Sequence, residues 1–249
     1  MTTDQNSNTV EAVLNYAEGS RRTRRVPIHD GRATLGQFSL DREGFELRHC
    51  ETAVSNFYDT AEVRAVYYPE VEQLLKVATG ATSAVAFEHD VRSAPRQGVG
   101  EVRGPVRVVH DDYTERSAPE RVRLYLPEQA EELVHNRYAV INVWRPIKGP
   151  VRDTPLAVCD AQSLAEEDLI PTEQGVKHEV YLFKFSPKHR WYYFSAMRTD
   201  EALLLKCFDS SRDGRARFTA HTAFDDPSAP ADAPARESIE VRALVFFSA

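Results

Sequence analysis

In the C-terminal half of the chain, apolar and polar residues alternate at a period of about two. YAVINVWRPI (138–147), VYLFKFSP (180–187), RWYYFSAM (190–197), ALLLKCF (202–208), ARFTAHTAF (216–224) and SIEVRALVFF (238–247) are rich in β-branched and aromatic residues and are punctuated by Pro, Asp and Gly. That pattern predicts antiparallel strands. Upstream the period lengthens: in residues 59–81, Val71, Leu74, Leu75 and Val77 recur at helical spacing. Asp59 with Glu62 three residues on predicts a capping box, and Gly80 predicts the stop. A further helical stretch is expected over 119–135. Residues 33–50 read as two extended segments joined by a turn at Asp41–Gly44, and residues 1–10 as a frayed end. RRTRRV (21–26) reads as a solvated strand or loop end, and the proline-rich 225–236 as a surface excursion between strands. Helices gathered ahead of a mostly β region give an α+β (mainly β) class. Period and composition leave barrel, sandwich and jelly roll open.

Composition narrows the setting. With 249 residues, 42% of them hydrophobic, the chain has room for one full-sized domain over 1–249. Residues 1–95 are expected as strands and helices packing on a core formed by 96–249. A formal charge of −7 argues against a nucleic-acid partner. No run approaches the roughly 18 apolar residues of a membrane span, and the polar, acidic start lacks the apolar stretch of a secretory signal. Three scattered cysteines (Cys50, Cys159 and Cys207) are too few for a disulfide framework or a CxxC zinc site. A reducing cytoplasm is the expected location.

Two of the eight histidines stand in telling surroundings. VRVVHDDYTE sets His110 at the end of an apolar run with Asp112 two residues on. In an extended segment these share a face, so an imidazole and a carboxylate can grip one metal ion, while Asp111 points the other way. His221 in FTAHTAF, far downstream, supplies a candidate third ligand. Two imidazoles and one carboxylate leave three of six positions open, which is the facial triad of non-haem Fe(II) oxygenases. Arg236 and Ser238 follow on the next strand and share a face with Glu240 and Arg242. A guanidinium fork and a hydroxyl suit the far carboxylate of 2-oxoglutarate. Taken singly, each of these signals is common. An Arg pairing with Glu240 on an exposed face is the bland alternative. The ordered set HxD, H, RxS is much more specific.

The chain also resembles the hydroxylase/desaturase family of iron- and 2-oxoglutarate-dependent oxygenases, which includes the small component of cephamycin 7-α-methoxylation and a fungal aziridine-forming oxygenase. The resemblance runs from about residue 44 to the C-terminus. It is carried by YYPEVEQLLKVATGA (67–81), VHDDYTERSAPERV (109–122), NVWRP (142–146), PLAVCDAQS (155–163), HRWYYFSAMRTDEALLLKCFDS (189–210), ARFTAHTAFDDP and RESIEVRALVFF. It implies a double-stranded β-helix (jelly roll), Fe(II) and 2-oxoglutarate. It also implies His110, Asp112 and His221 as the metal ligands and catalytic centre, and Arg236 and Ser238 as the co-substrate clamp. The expected partners are O2 and a small-molecule substrate of secondary metabolism, whose C–H bond is hydroxylated, desaturated or cyclised. Oligomeric state is left open.

Other pocket candidates are less sharply defined. Arg145 is taken as a carboxylate ligand for substrate or co-substrate, the alternative being an anchor for the strand end before Pro146. Of Trp191, Tyr192 and Tyr193, two are expected in core packing. Asp160 either orients a neighbour or caps a turn. His89 and Arg92 flank the core, with an ordinary surface role as the commoner reading, and His135 is a poor ligand candidate. Two other functions compete with the oxygenase: a non-catalytic jelly-roll protein that binds a small molecule or metal, and a cupin-type dioxygenase that needs no 2-oxoglutarate. The RxS pair discriminates, because a passive binder has no use for a carboxylate clamp beside the distal histidine.

Overall fold

Thirteen strands form two sheets in the computed structural model, which describes residues 8–17, 22–172 and 179–248. In chain order they begin with β1 (Thr9–Tyr16), β2 (Arg22–Asp30), β3 (Phe45–His49), β4 (Ser83–Ser93) and β5 (His110–Asp111). Next come β6 (Tyr138–Lys148), β7 (Leu156–Cys159), β8 (Leu169–Pro171) and β9 (Tyr181–Phe183). Last are β10 (Trp191–Tyr193), β11 (Glu201–Asp209), β12 (His221–Ala223) and β13 (Glu237–Phe246). The helices are α1 (Thr60–Glu62), α2 (Tyr68–Thr79), α3 (Ser117–Tyr125) and α4 (Ala130–His135).

One sheet runs β1-β2-β10-β7-β12-β5-β9-β8 and the other β3-β11-β6-β13-β4. All pairings are antiparallel except that of β10 with β2. This is the expected jelly-roll core. Leu156 and Val158 of the larger sheet share a buried cluster with Val140, Trp144, Leu203, Leu205 and Leu244 of the smaller one. The outer face of the five-stranded sheet offers Ile141, Val143, Val241 and Ala243, and it is covered by Tyr67, Tyr68, Val71 and Leu75 around α2. That covering explains why β6 is buried from Tyr138 to Pro146 and reads as a nearly continuous apolar run.

The helix over 59–81 begins and ends where expected. Asp59 accepts from the amides of Ala61 and Glu62, and Gly80 closes α2 with a left-handed φ of 71°. The capping box is not reciprocal, however. Glu62 turns away to accept from the Ser55 and Asn56 amides, and a π-helical turn, Val63–Tyr67, separates α1 from α2. The single helix expected over 119–135 is two, because Pro127 follows the C-cap of α3 at Leu126.

Several expectations are corrected. Residues 9 and 10 belong to β1 rather than to a frayed end, residues 1–7 and Arg21 lie outside the described residues, and Arg22–Val26 take the strand alternative of their two readings, as the start of β2, which pairs with β1 along the whole length of β1. The first extended segment expected within 33–50 is absent. Asp30 instead caps a 3-10 turn, Gly31–Thr34, and turns fill the way to β3. Gly44 in this connection has φ of 86°, and a side chain there would meet Thr219 Oγ1 at 2.3 Å. That close approach lets Thr219 donate to the Gly44 carbonyl (2.9 Å), anchoring the segment that leads into β12. The strand expected over 216–224 is only His221–Ala223. Within residues 1–95, α2 packs on the five-stranded sheet, while β1 and β2 extend one sheet and β3 and β4 the other, β4 pairing with β13 from Ser83 to Ser93.

Candidate active site

His110 and His221 face each other across one antiparallel step, because β5 pairs with β12 in the register His221↔His110. Their ring centroids are 4.4 Å apart. Each imidazole directs Nδ1 to the carbonyl two residues earlier, His110 to Val108 (2.8 Å) and His221 to Thr219 (3.0 Å). With Nδ1 donating, Nε2 carries the lone pair and is aimed inward, the tautomer a metal ligand requires. Asp112, just beyond β5, places Oδ1 3.5 Å from His110 Nε2. The donor atoms of His110, Asp112 and His221 all lie within 4.8 Å of one another, and His221 Nε2 is buried without a hydrogen-bond partner. A buried acceptor without a partner, set beside another imidazole and a carboxylate, is a donor set that fits a cation.

The electrostatics favour the ligand forms. Burial, then the neighbouring His221, pushes the His110 imidazole down to about 4 against the pull of Asp112, so it is neutral at pH 7. Burial alone would raise the Asp112 carboxyl, yet Arg242 and the two imidazoles outweigh it and hold the group well below the ordinary carboxylate range. Asp112 Oδ2 accepts from Asn142 Nδ2 (2.7 Å) and Arg242 Nε (3.0 Å), cross-strand neighbours on β6 and β13. Sequence reasoning missed both partners. Arg242 was noted only for sharing the RxS face, and nothing in the local pattern marks where Asp112 comes to rest.

Beside the histidines lies a small cavity lined by Arg92, Trp144, Leu156, Arg236 and Glu240, among others. Arg236 and Ser238 are 4% and 0% exposed, so the bland reading of Arg236 as a surface arginine fails. Arg236 Nη1 donates to the Thr154 carbonyl (2.7 Å) and its guanidinium stands 5.6 Å from the Trp144 ring. Its Nε and Ser238 Oγ have no partner. Burial, then Arg92, pushes Arg236 down to about 9 against the attraction of Glu240. A buried cation with an unspent donor, next to an unspent hydroxyl, is a receptor for an anion. Arg92, paired with Ser238 across β4 and β13, was expected at the surface and instead lines this cavity.

Arg145 is not brought to the site. It lies on the opposite face of β6 from Asn142 and Trp144, fully buried, and donates to the carbonyls of Cys50 and Thr199 with Tyr67 and Phe57 stacked around it. Its assignment as a co-substrate ligand is corrected: the period of two that places Asn142 and Trp144 inside turns Arg145 to the helix layer. Arg145→Ala should lower the thermal midpoint, since each carbonyl left unpaired costs roughly 1–3 kcal/mol. The concentration of 2-oxoglutarate at half-maximal rate should stay as in wild type, which a titration of the folded variant checks.

The other candidates are structural. Asp160 caps the 3-10 turn Ala161–Ser163 and holds Arg190 at 2.6 Å. Trp191 and Tyr193 pack in the outer cluster, while Tyr192 turns inward against Phe38 and Phe45. His89 pairs with the Tyr68 hydroxyl, buried His189 with Tyr16 and Asp168, and His135 with the Glu131 carbonyl. His178 lies outside the described residues. A second group, Asp111, Cys207 and His221, also brings donors within 4.8 Å. Burial first, then Asp111 and Asp112, pushes the Cys207 thiol well up, which makes it a poor thiolate donor, and neither Asp111 nor Cys207 lines the cavity.

A wider cleft of about 1040 Å³ opens on the other side of Asp112, with Tyr113, Arg121, Arg242, Val180 and the 96–103 turn in its walls. It is large enough for a drug-sized molecule and reaches the donor cluster through Asp112.

Residues 2–246 match a family described as an oxidoreductase/YMDC permease-like domain. Over 252 aligned positions the chain is 36% identical to the hydroxylase/desaturase efuI of Hormonema carpetanum, covering 90% of this chain and 84% of that protein. It is 37% identical over 234 positions to the Fe(II)/2-oxoglutarate-dependent dioxygenase nvfI of Aspergillus novofumigatus, covering 89% and 83% respectively. A solved structure of the iron and alpha-ketoglutarate-dependent endoperoxidase NvfI aligns with a TM-score of 0.85 at 33% identity, over 97% of this chain and 98% of that one.

Proposed function

The chain belongs to the Fe(II)- and 2-oxoglutarate-dependent hydroxylase/desaturase family, and we propose that His110, Asp112 and His221 hold its iron while Arg236 and Ser238 hold the distal carboxylate of 2-oxoglutarate. It is a non-haem iron oxygenase that uses O2 to oxidise a C–H bond of a small secondary-metabolism substrate. The observation that carries the residue assignment is the orphaned His221 Nε2, buried among two other inward-facing donors. When iron is bound, the chemistry available is oxidative decarboxylation of 2-oxoglutarate to succinate and CO2, coupled to oxidation of substrate.

The protein's own contribution is orientation and exclusion of water. Backbone carbonyls face Nδ1 of both imidazoles and fix the ring orientation that turns Nε2 toward the other donors. The Arg236 fork and the Ser238 hydroxyl give a dianion a directional anchor. Trp144, Leu156 and Ala223 give the small cavity beside Arg236 apolar walls, and low-dielectric surroundings strengthen polar contacts there. Substrate enters by the wide cleft, on the Asp112 and Tyr113 side, so the two carbon skeletons approach the centre from different directions. Among the described residues no helix is long and apolar enough to cross a membrane. We read the chain as one oxygenase domain, working in a reducing cytoplasm where its three free thiols persist, and its net charge of −7 disfavours nucleic acid.

Anaerobic addition of Fe(II) and 2-oxoglutarate should give the weak visible charge-transfer band of the chelate, and admission of air should yield succinate. Asp112→Ala should lose both. Turnover that proceeds without 2-oxoglutarate would instead support the cupin-type reading.

A further inference from the structure

Among the described residues, two side-chain donors meet Asp112 on the same oxygen. Asn142 Nδ2 (2.7 Å) and Arg242 Nε (3.0 Å) both converge on Oδ2, while Oδ1 faces the imidazoles. The convergence is built into the sheet: Arg242 and Asn142 are register partners on β13 and β6, both long and doubly paired strands. The guanidinium is itself fixed, because its Nη2 reaches Asp90 (3.0 Å) and Glu240 (3.2 Å), which leaves Nε pointed at Asp112. Asn142 is 0% exposed, so bulk solvent does not reach its amide.

Resting on the assignment of Asp112 as a metal ligand, we infer that Arg242 and Asn142 are positioning residues that restrict this carboxylate to one-oxygen coordination. A carboxylate without such restraint is free to chelate through both oxygens. Three ligand atoms from the protein leave three of six positions, two for a chelating keto acid and one for O2. A fourth atom, from Oδ2, would occupy one of them. Asp112 sits just past the end of a two-residue strand, and among the described residues Asn142 and Arg242 are the side-chain donors to its Oδ2. The clamp therefore belongs to the opposite sheet, and it protects the vacancies the reaction needs.

The test uses the full chain and Co(II), followed by calorimetry and by the infrared difference between metal-loaded and metal-free protein. The gap between asymmetric and symmetric carboxylate stretches is wide for one-oxygen and narrow for two-oxygen coordination. Wild type should bind Co(II) stoichiometrically with a wide gap that vanishes in Asp112→Ala. Arg242→Gln should weaken Co(II) binding by about 10–100-fold, as loss of an outer partner of a metal ligand typically does, and should narrow the gap. Arg242→Lys should recover part of the affinity. Asn142→Ala should move both readouts the same way and carries the test alone if Arg242→Gln does not fold. Wild-type affinity and a wide gap in Asn142→Ala, or in both variants, would overturn the inference while leaving the triad intact. Failure of wild type itself to bind Co(II), or binding unchanged in His221→Ala, would instead strike the ligand assignment.

Discussion

His221→Ala should reduce succinate formation below detection in assays saturated with Fe(II) and 2-oxoglutarate. The argument is one of lost coordination. His221 is 2% exposed and its Nε2 has no partner within the protein, so among the described residues no neighbour is poised to replace it. Loss of a group that merely orients a ligand costs about 10–100-fold in metal affinity or activity, and loss of a ligand exceeds that range. The alanine also leaves a hole beside His110 and removes one of three converging donors, so metal affinity should fall even where the protein folds. Two controls separate this from general damage. His135→Ala, on an exposed helix end, should retain full activity. Circular dichroism of His221→Ala should show the β-rich fold intact. Retention of more than about a tenth of wild-type activity would remove His221 from the ligand set.

Arg236→Ala should act on a different parameter. Removing one partner of a buried, hydrogen-bonded charge pair costs about 2–5 kcal/mol, which corresponds to roughly 30- to 4000-fold in affinity. The concentration of 2-oxoglutarate needed for half-maximal succinate formation should rise by that order, with iron binding unchanged. Ser238→Ala removes one neutral hydrogen bond, about 0.5–1.5 kcal/mol, and should raise the requirement only about 2- to 12-fold. Arg236→Lys should fall between, since a lysine keeps charge but loses the planar fork. The direction of the Arg236 shift supports this. Its charge is disfavoured by burial and by Arg92 in the protein alone, and an incoming carboxylate would relieve both. An Arg236→Ala titration curve superimposable on wild type would place the distal carboxylate elsewhere.

The same strands that were legible also show where legibility ended. β6, β11 and β13 are long and strongly apolar, with β-branched residues in β6 and β13 and a Leu run in β11, and their boundaries fall within a residue or two of the expected ones. β5, β8, β9 and β12 are two or three residues each, too short to carry a period, and pair largely with one another at one side of the larger sheet, β12 alone adjoining the four-residue β7. The first strands are legible only in part, β2 as a solvated strand or loop end and the start of β1 as a frayed end, because a polar and basic composition hides an alternation visible once paired: Ala12, Leu14 and Tyr16 face inward while Val13 is 45% exposed. The site shows the same division. HxD is readable because both residues sit on one strand end. Arg145 was misread because strand parity tells which residues share a face but not which of the two faces looks toward the metal donors.

What the sequence determined alone was therefore local and chemical: three donor types in a metal-ligating order, a guanidinium and hydroxyl spaced to hold a carboxylate, and the alternation that commits the C-terminal half to strands. Those depend on bonded spacing and side-chain chemistry, which a linear string contains. The tertiary structure decided which side chains meet. Asn142, Arg242, Arg92 and Glu240 acquire roles only when β4, β6 and β13 align in register and face β5 and β12 across the sandwich. Contacts between residues separated by 130 positions, as Asp112 and Arg242 are, come from sheet pairing and burial acting together, and no local pattern encodes them.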